Sequence, residues 1–490
     1  MTHSNIYPFK TRPYTHQREA WDISKNLDEF ALFMEMGTGK SKVIIDTVAY
    51  LYDAGRIDSV LIIAPKGMYK NWINNELPTH LPDHIVHRAA AWSSTMRKAE
   101  EEKVRSCLEA VDDLRIIVMN VEAFSSKKGG KFAELFCTCG GNVFMVVDES
   151  TTIKNPKAAR TKSILKLGTY AKYKRILTGE PITRSPLDLY SQCQFLSPAI
   201  LGFSSYYSFR NRYAIMVDMK TGMRSFKKVV GFQRLDELGG LIHDFSYRCK
   251  KDECLDLPDK IYQYRTVELT KEQKDLYNNL SNAAMTLYKS QSLTVDNALT
   301  LMLRLHQITC GHFVSDDGEV SSIPDNRLAE LEHVLEEAPD KVIIWATYVN
   351  DIKRICSLIG EKYGLDSYVP YYGAVSQDDR ETALTRFQNE EACRFFIGNP
   401  QTGGMGLTLT AANTVVYYSN NFNLEHRIQS EDRAHRIGQN RSVLYVDLIC
   451  PGTIDSKVVK SLRDKKQVAQ QIMGDKIQDW LGSVRSATSP

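Results

Sequence analysis

The chain has 490 residues with a formal net charge of +3, 43% hydrophobic and 25% charged residues. That length suits two or more domains, each with its own core, and the balance is that of an ordinary globular protein. So small a net charge leaves any nucleic-acid contact to local basic patches rather than to a global field. No apolar run reaches membrane-spanning length, and the N-terminus, Met1-Thr-His-Ser-Asn-Ile-Tyr-Pro8, lacks a charged-then-apolar leader, so a cytoplasmic location is expected. None of the 10 cysteines forms a Cys-x-x-Cys pair, and Cys137-Thr-Cys139 has no partner pair at zinc-finger spacing. They read as reduced thiols.

In chain order, the first pattern is Thr11-Arg-Pro-Tyr-Thr-His-Gln17, followed by the helical run Arg18-Glu-Ala-Trp21. The amide of Gln17 can both donate and accept, as an adenine edge requires; a solvated residue at a helix N-terminus is the alternative. The apolar Phe30-Ala-Leu-Phe33 then leads into Met34-Glu-Met-Gly37-Thr38-Gly39-Lys40-Ser41, and a helical pattern follows over Val43–Tyr50. Strand, glycine turn and helix are the context of a phosphate-binding loop, in which backbone N–H groups and the helix N-terminus converge on a polyphosphate. Lys40 would reach the terminal phosphates and the Ser41 hydroxyl would hold Mg²⁺. Met34 stands where the usual eight-residue pattern begins with glycine.

Val60-Leu-Ile-Ile-Ala-Pro65 and Arg115-Ile-Ile-Val-Met-Asn120 are short, continuous apolar runs of the kind that form central parallel strands. The loop Ser125-Ser-Lys-Lys-Gly-Gly-Lys131 is either a solvated basic turn or a phosphate contact. Val143-Phe-Met-Val-Val147 drives into Asp148-Glu149-Ser-Thr151, two adjacent carboxylates at the end of a buried strand. Uncompensated buried charge is costly, which argues for chemistry: Asp148 can hold Mg²⁺, and Glu149 can orient and deprotonate an attacking water. Arg175-Ile-Leu-Thr178-Gly-Glu180-Pro-Ile182 gives a further strand ending in a polar turn.

Taken together, Gln17, Gly37–Ser41, Asp148–Thr151, Ile153-Lys154-Asn155 and Leu177–Ile182 resemble the first-lobe motifs of superfamily 2 helicases, and Ile-Lys-Asn resembles the SWI/SNF-type branch. Gly403-Gly404-Met-Gly-Leu-Thr-Leu-Thr-Ala-Ala-Asn413 and Gln429-Ser-Glu-Asp-Arg433-Ala-His-Arg436-Ile-Gly-Gln439 resemble that branch's second-lobe motifs, the latter its arginine-finger motif. The resemblance covers about residues 10–475, with Glu180 where the family usually has Thr and Phe422 where a Trp is common. It implies an α/β fold of two tandem RecA-like parallel-sheet lobes with helical insertions and a C-terminal helical brace. The expected boundaries are lobe 1 at 1–190, a helical insertion at 191–255, linker and second-lobe insertion at 256–330, lobe 2 at 331–450, and brace and tail at 451–490.

The second half carries strand-like runs at Lys341–Ala346, Arg394–Ile397 and Thr414–Tyr418 but no Gly-Lys-Ser/Thr loop, so it is not expected to bind nucleotide alone. Arg433 and Arg436 lie three apart, which on a helix puts both on one side. They are expected either to stabilise the transferring phosphoryl group across from the first lobe's loop or to be a solvated basic face. Between the lobes, Phe203–Tyr213 and Lys220–Lys228 mix aromatic and basic residues, as core aromatics of an insertion or as a stacking surface, with 220–228 the expected DNA contact.

The implied activity is DNA-dependent hydrolysis of ATP with Mg²⁺, coupled to translocation on double-stranded or branched DNA by a monomer. Gln17, Gly37, Thr38, Gly39, Lys40, Ser41 and Gly404 would form the nucleotide site, with Lys40, Asp148, Glu149, Arg433 and Arg436 catalytic. Lys66, Lys70, Asn120, Lys154 and Asn155 in the first lobe, and Tyr372, Gly373, Thr402 and Gly403 in the second, are the expected nucleic-acid grips, placed by the resemblance at strand ends. With no accessory domain in view, a stand-alone motor of bacterial or phage type, acting in repair or branch migration, is the expectation. A strand-separating helicase and a non-motor scaffold with an ATPase-like shape are the alternatives.

Overall fold

The computed structural model describes residues 7–472 except 67, 140, 222–223, 255–256, 290–294, 316, 404–406 and 437. Two compact units divide it, the first built from residues up to 219 and 226–256, the second chiefly from Leu257–Lys465.

The first unit is organised by a seven-stranded sheet. Its strands are β1 (Glu29–Met34), β2 (Ser59–Ala64), β3 (His87–Trp92), β4 (Leu114–Asn120), β5 (Val143–Asp148) and β6 (Ala171–Leu177). A separate two-stranded hairpin, β7 (Ala214–Thr221) and β8 (Arg224–Phe232), precedes β9 (Ser246–Cys249), which returns to the sheet. The order is β3-β4-β2-β5-β6-β1-β9, and every neighbouring pair is parallel. Every residue of β2 and of β5 is buried, because helices cover both faces of a parallel sheet. Alternation sorts their side chains: Leu61 and Ile63 join one core layer, while Val60, Ile62 and Ala64 join the other.

The second unit repeats the principle with β10 (Lys260–Thr266), a small hairpin of β11 (His312–Val314) and β12 (Val320–Ser322), then β13 (Val342–Trp345), β14 (Tyr368–Tyr371), β15 (Phe395–Gly398), β16 (Thr414–Tyr417) and β17 (Val443–Ile449). Its sheet order is β10-β17-β16-β13-β15-β14, again all parallel.

Two stretches differ from a purely helical reading. The segment 191–255 holds helices Tyr206–Tyr213 and Leu235–His243, but also the β7–β8 hairpin and strand β9. Within 256–330, helices Lys271–Lys289 and Val295–Thr309 follow β10, an edge strand whose mostly exposed, polar-apolar residues hide it among linker patterns. Phe209 and Tyr213 are core aromatics, packed with Phe203 and Tyr190. The stretch 220–228, the expected DNA contact, falls in the hairpin, with 222–223 outside the described residues. Ser125–Lys131 is not a loop either: Ser126 caps the helix Lys127–Thr138 by accepting from the Gly129 N–H at 3.3 Å. Beyond the helix Ile454–Ile472 the chain lies outside the described residues.

One buried cation fixes the approach to β1. The Arg175 guanidinium on β6, fully enclosed, donates to the carbonyls of Ser24 (2.7 Å), Leu27 (2.8 Å), Asp28 (3.0 Å) and Lys174 (2.8 Å). Those carbonyls belong largely to the turn between the first helix, α1 (Thr15–Ser24), and β1. Removing the guanidinium takes this donor from all four, leaving Ser24 and Asp28 with only the backbone N–H groups of Leu27 (3.1 Å) and Lys174 (2.7 Å). Arg175→Met is expected to destabilise the first unit by about 2–4 kcal/mol, read from its urea unfolding midpoint by tryptophan fluorescence.

Candidate active site

All strands of the first sheet run the same way, so the turns after β1, β2, β4, β5, β6 and β9 emerge along one edge. Ligands of open α/β sheets bind at that carboxyl edge.

After β1, Gly37 and Gly39 both take left-handed backbone, with φ of 81° and 87°. Helix α2 (Lys40–Asp53) starts directly behind them and presents its N-terminal N–H groups to the turn. A side chain at Gly39 would also collide with Gln17, whose Nε2 lies 2.2 Å from where a Cβ would be. Gln17 spends its amide on the protein: Oε1 accepts from the Tyr14 N–H at 3.0 Å and Nε2 donates to the Thr38 carbonyl at 3.0 Å. The same carbonyl accepts from His16 Nε2 at 2.8 Å. The Lys40 ammonium, nearly buried, donates to the carbonyls of Met34 (2.8 Å) and Glu35 (3.3 Å) and so spans the turn. Ser41, half-buried, stands in the first turn of α2.

After β5, Asp148 and Glu149 are both 5% exposed. Asp148 accepts from Trp72 Nε1 at 3.0 Å and from the Glu149 N–H at 3.0 Å. Burial raises its carboxyl above the usual range, while the Lys40 charge pulls the other way. A carboxylate whose burial outweighs a nearby ammonium is suited to a further cation, and Mg²⁺ fits it. Glu149 has φ of 48°, a left-handed conformation that costs a non-glycine residue energy and concentrates at functional sites. The Thr178 hydroxyl, after β6, lies 3.5 Å from its Oε2.

The turn after β6 closes on the glycine loop. A Cβ on Gly179 would lie 3.3 Å from both Glu35 Cα and Met36 N. Arg248 of β9 ties these pieces together, donating to the carbonyls of Phe33 (3.2 Å) and Gly179 (2.6 Å) and lying 3.6 Å from the Glu180 carboxylate. Nothing in the patterning singled out Arg248 for this role; the ion pair gives Glu180 a function of its own.

The other expected residues of this unit fall on the same edge. Lys66 and Lys70 follow β2 and are exposed, Asn120 ends β4, and Asn155 is exposed beyond the acidic turn. Lys154 is half-buried and donates to Thr183 Oγ1 at 2.6 Å.

In the second unit, Tyr372 and Gly373 follow β14, where Arg380 Nη2 donates to their carbonyls at 3.0 and 2.8 Å. Thr402 and Gly403 follow β15. Gly404 lies outside the described residues. Arg433 and Arg436 were expected on one helix face, but the helix Leu424–Glu431 ends before them. The Arg433 side chain donates from Nε to the Gln429 carbonyl at 2.9 Å, capping the helix end, and its own N–H moves to Ser430 at 3.4 Å. The two arginines nevertheless converge, each reaching the Leu407 carbonyl at 3.1 Å.

A parallel sheet with a left-handed glycine loop, a lysine and two buried carboxylates on one edge defines a nucleotide-binding α/β protein. The model of the SNF2-related domain matches residues 21–314, and that of the helicase conserved C-terminal domain matches 326–438. The chain belongs to the SNF2-related family. It is 26% identical over 484 residues to a probable ATP-dependent DNA helicase, CHR12, of Arabidopsis thaliana, covering 94% of this chain and 42% of that one. Identity is also 26% over 485 residues with the putative ATP-dependent helicase/translocase YwqA of Bacillus subtilis (strain 168), at 96% and 49% coverage. With the DNA annealing helicase and endonuclease ZRANB3 of Mus musculus it is 27% over 436 residues, at 89% and 38%. The chain thus spans half or less of the length of these relatives. Among the described residues no helix is long and apolar enough to cross a membrane.

Arg248→Met keeps the aliphatic stem but removes the donors that hold β1 to the turn after β6. Since such charge-assisted bonds contribute about 1.5–3 kcal/mol, amide exchange at 33–38 and 178–180 is expected to accelerate at least about tenfold, measured by hydrogen–deuterium exchange mass spectrometry.

Proposed function

We propose that the chain hydrolyses ATP in a DNA-stimulated cycle and uses it to move on double-stranded DNA. The observation that carries this reading is the buried pair Asp148 and Glu149, set on the same edge as a glycine loop whose lysine acts on the charge of Asp148.

In the proposed reaction the loop N–H groups and the α2 N-terminus bind the ATP phosphates. Lys40 exchanges the Met34 and Glu35 carbonyls for phosphate oxygens. Ser41 and Asp148 would hold Mg²⁺, which supplies charge neutralisation to the phosphates. Glu149 orients the attacking water and takes its proton as the new O–P bond forms at the γ-phosphorus and the bridging bond to ADP breaks. Arg433 and Arg436 give guanidinium charge to the transferring group, exchanging the Leu407 carbonyl for phosphoryl oxygen.

DNA as the partner is supported by the relatives' names and by exposed Lys66, Lys70 and Asn155 on the site edge. Backbone-phosphate contacts carry little sequence information, as suits a motor that crosses any sequence. Remodelling of branched DNA is the finer reading, supported by the likeness to an annealing helicase.

Phosphate release with and without blunt duplex tests the whole. Lys40→Ala and Glu149→Gln are expected to abolish it, Glu149→Gln while ATP still binds. Arg436→Ala should retain nucleotide binding and lose on the order of 10³-fold or more in turnover. No release under either condition would favour a scaffold. Triplex displacement on blunt duplex reads translocation, and failure to move a synthetic four-way junction during hydrolysis would remove the branch-migration reading.

A further inference from the structure

A second constellation lies where α1 and β9 meet beside the glycine loop. His16 of α1 and Cys249 of β9 are buried, and Cys254, at the end of the short helix Lys251–Cys254, is half-buried. One ligand atom from each of the three lies within 4.8 Å of the others. They border a cavity of about 450 Å³ that Tyr14, Glu19, Tyr247 and Glu253 also line.

The hydrogen bonds already fix the state of each group. A carbonyl can only accept, so the 2.8 Å contact from His16 Nε2 to the Thr38 oxygen places a proton on Nε2, and in the neutral ring Nδ1 is the nitrogen that carries the lone pair. Metal-ligating histidines are commonly oriented in this way, by donating the other ring N–H to a carbonyl. Both thiols turn toward a single acceptor, the Lys250 carbonyl, at 2.9 Å from Cys254 Sγ and 3.6 Å from Cys249 Sγ. Burial raises both thiols above the ordinary range.

We propose that His16, Cys249 and Cys254 form a zinc site that pins β9 and the helix after it to α1. Two sulfurs and one imidazole nitrogen are the donor set of Zn²⁺ rather than of Mg²⁺ or Ca²⁺. Binding converts both thiols to thiolates and releases two protons, leaving Zn²⁺ and its two sulfur ligands electrically neutral inside the fold. Tetrahedral Zn–S and Zn–N bonds put ligand atoms about 3.7 Å apart, so the three need to close by only about an ångström. A fourth ligand would come from water or from the Glu253 carboxylate, which lines the same cavity. Glu19, Glu35 and Glu253 favour the cation electrostatically, and Arg248, Lys250 and Lys251 oppose it.

The test uses the full chain, reduced, with no nucleotide, so its result is separate from that of the hydrolysis experiments. Co²⁺ is titrated as the spectroscopic probe and then displaced by Zn²⁺ in competition with a chromophoric chelator. One equivalent, with thiolate-to-cobalt charge transfer and the intense visible bands of tetrahedral cobalt, is expected. Cys254→Ser, the more exposed and structurally milder change, should weaken binding by at least about a hundredfold, beyond the range of outer-shell losses, and His16→Gln should do likewise. Cys139→Ser, at an exposed thiol outside the cluster, should change nothing. Absence of thiolate–cobalt absorption in the wild type, or an unchanged spectrum in Cys254→Ser with native circular dichroism, would overturn the proposal.

Discussion

One backbone carbonyl, that of Thr38, accepts two side-chain donors from α1, Gln17 Nε2 and His16 Nε2. This is possible only because glycines on either side take left-handed backbone and Gly39 leaves the space that Gln17 fills. With that oxygen held by α1 and the Thr38 N–H donating to the Glu35 carbonyl at 3.3 Å, the turn is closed on the protein's own groups. The loop is therefore shaped before any phosphate arrives. Its lysine meanwhile rests on the loop's own carbonyls, so binding exchanges one set of oxygens for another instead of ordering a free side chain.

The parallel sheet supplies the remaining geometry. Register places Asp148 beside Leu177, and Leu177 beside Leu32, so the acidic turn, the turn after β6 and the glycine loop leave adjacent strands at nearly the same height. Continuous apolar strands make this edge stiff, since each is buried on both faces. The strained backbone at Glu149 is held in place by that surrounding rigidity.

Much of this was readable in the chain because the signals are local. The runs at Val60–Ala64, Arg115–Asn120 and Val143–Val147 are each a central strand, and the residues that end them are the ones on the edge. What escaped was non-local or set by side chains. Strand β9 has only Ser-Tyr-Arg-Cys to announce it, and its place beside β1 depends on pairing across more than two hundred residues. The three-residue spacing of Arg433 and Arg436 suggested a helix, but the Arg433 guanidinium takes over a terminal carbonyl and the backbone unwinds. Gln17 was read as a reader of an adenine edge or as a solvated helix start; it is buried, and its amide accepts from the Tyr14 N–H and donates to the Thr38 carbonyl. Cys249 and Cys254 form a Cys-x4-Cys pair, a spacing zinc ligands use, but His16 lies more than two hundred residues away and only the fold brings it to them.

Strand β9 turns out to grip the glycine loop from both of its faces. Successive residues of a strand point opposite ways, so Arg248 reaches Phe33, Gly179 and Glu180 while Cys249 faces α1 and His16. Between those side chains the backbone holds the loop directly: the Glu35 N–H donates to the Cys249 carbonyl at 2.9 Å, and the Lys251 N–H donates to the Glu35 carboxylate at 3.1 Å. Glu35 is the first residue beyond β1, so the loop's entry is fixed by a segment that immediately precedes the second unit in sequence. A pull on residues 249–254 would reach the glycine turn through two hydrogen bonds and one guanidinium. The same segment is where the cysteine pair lies, which makes its stiffness, and any ion that sets it, a direct term in how the loop is held.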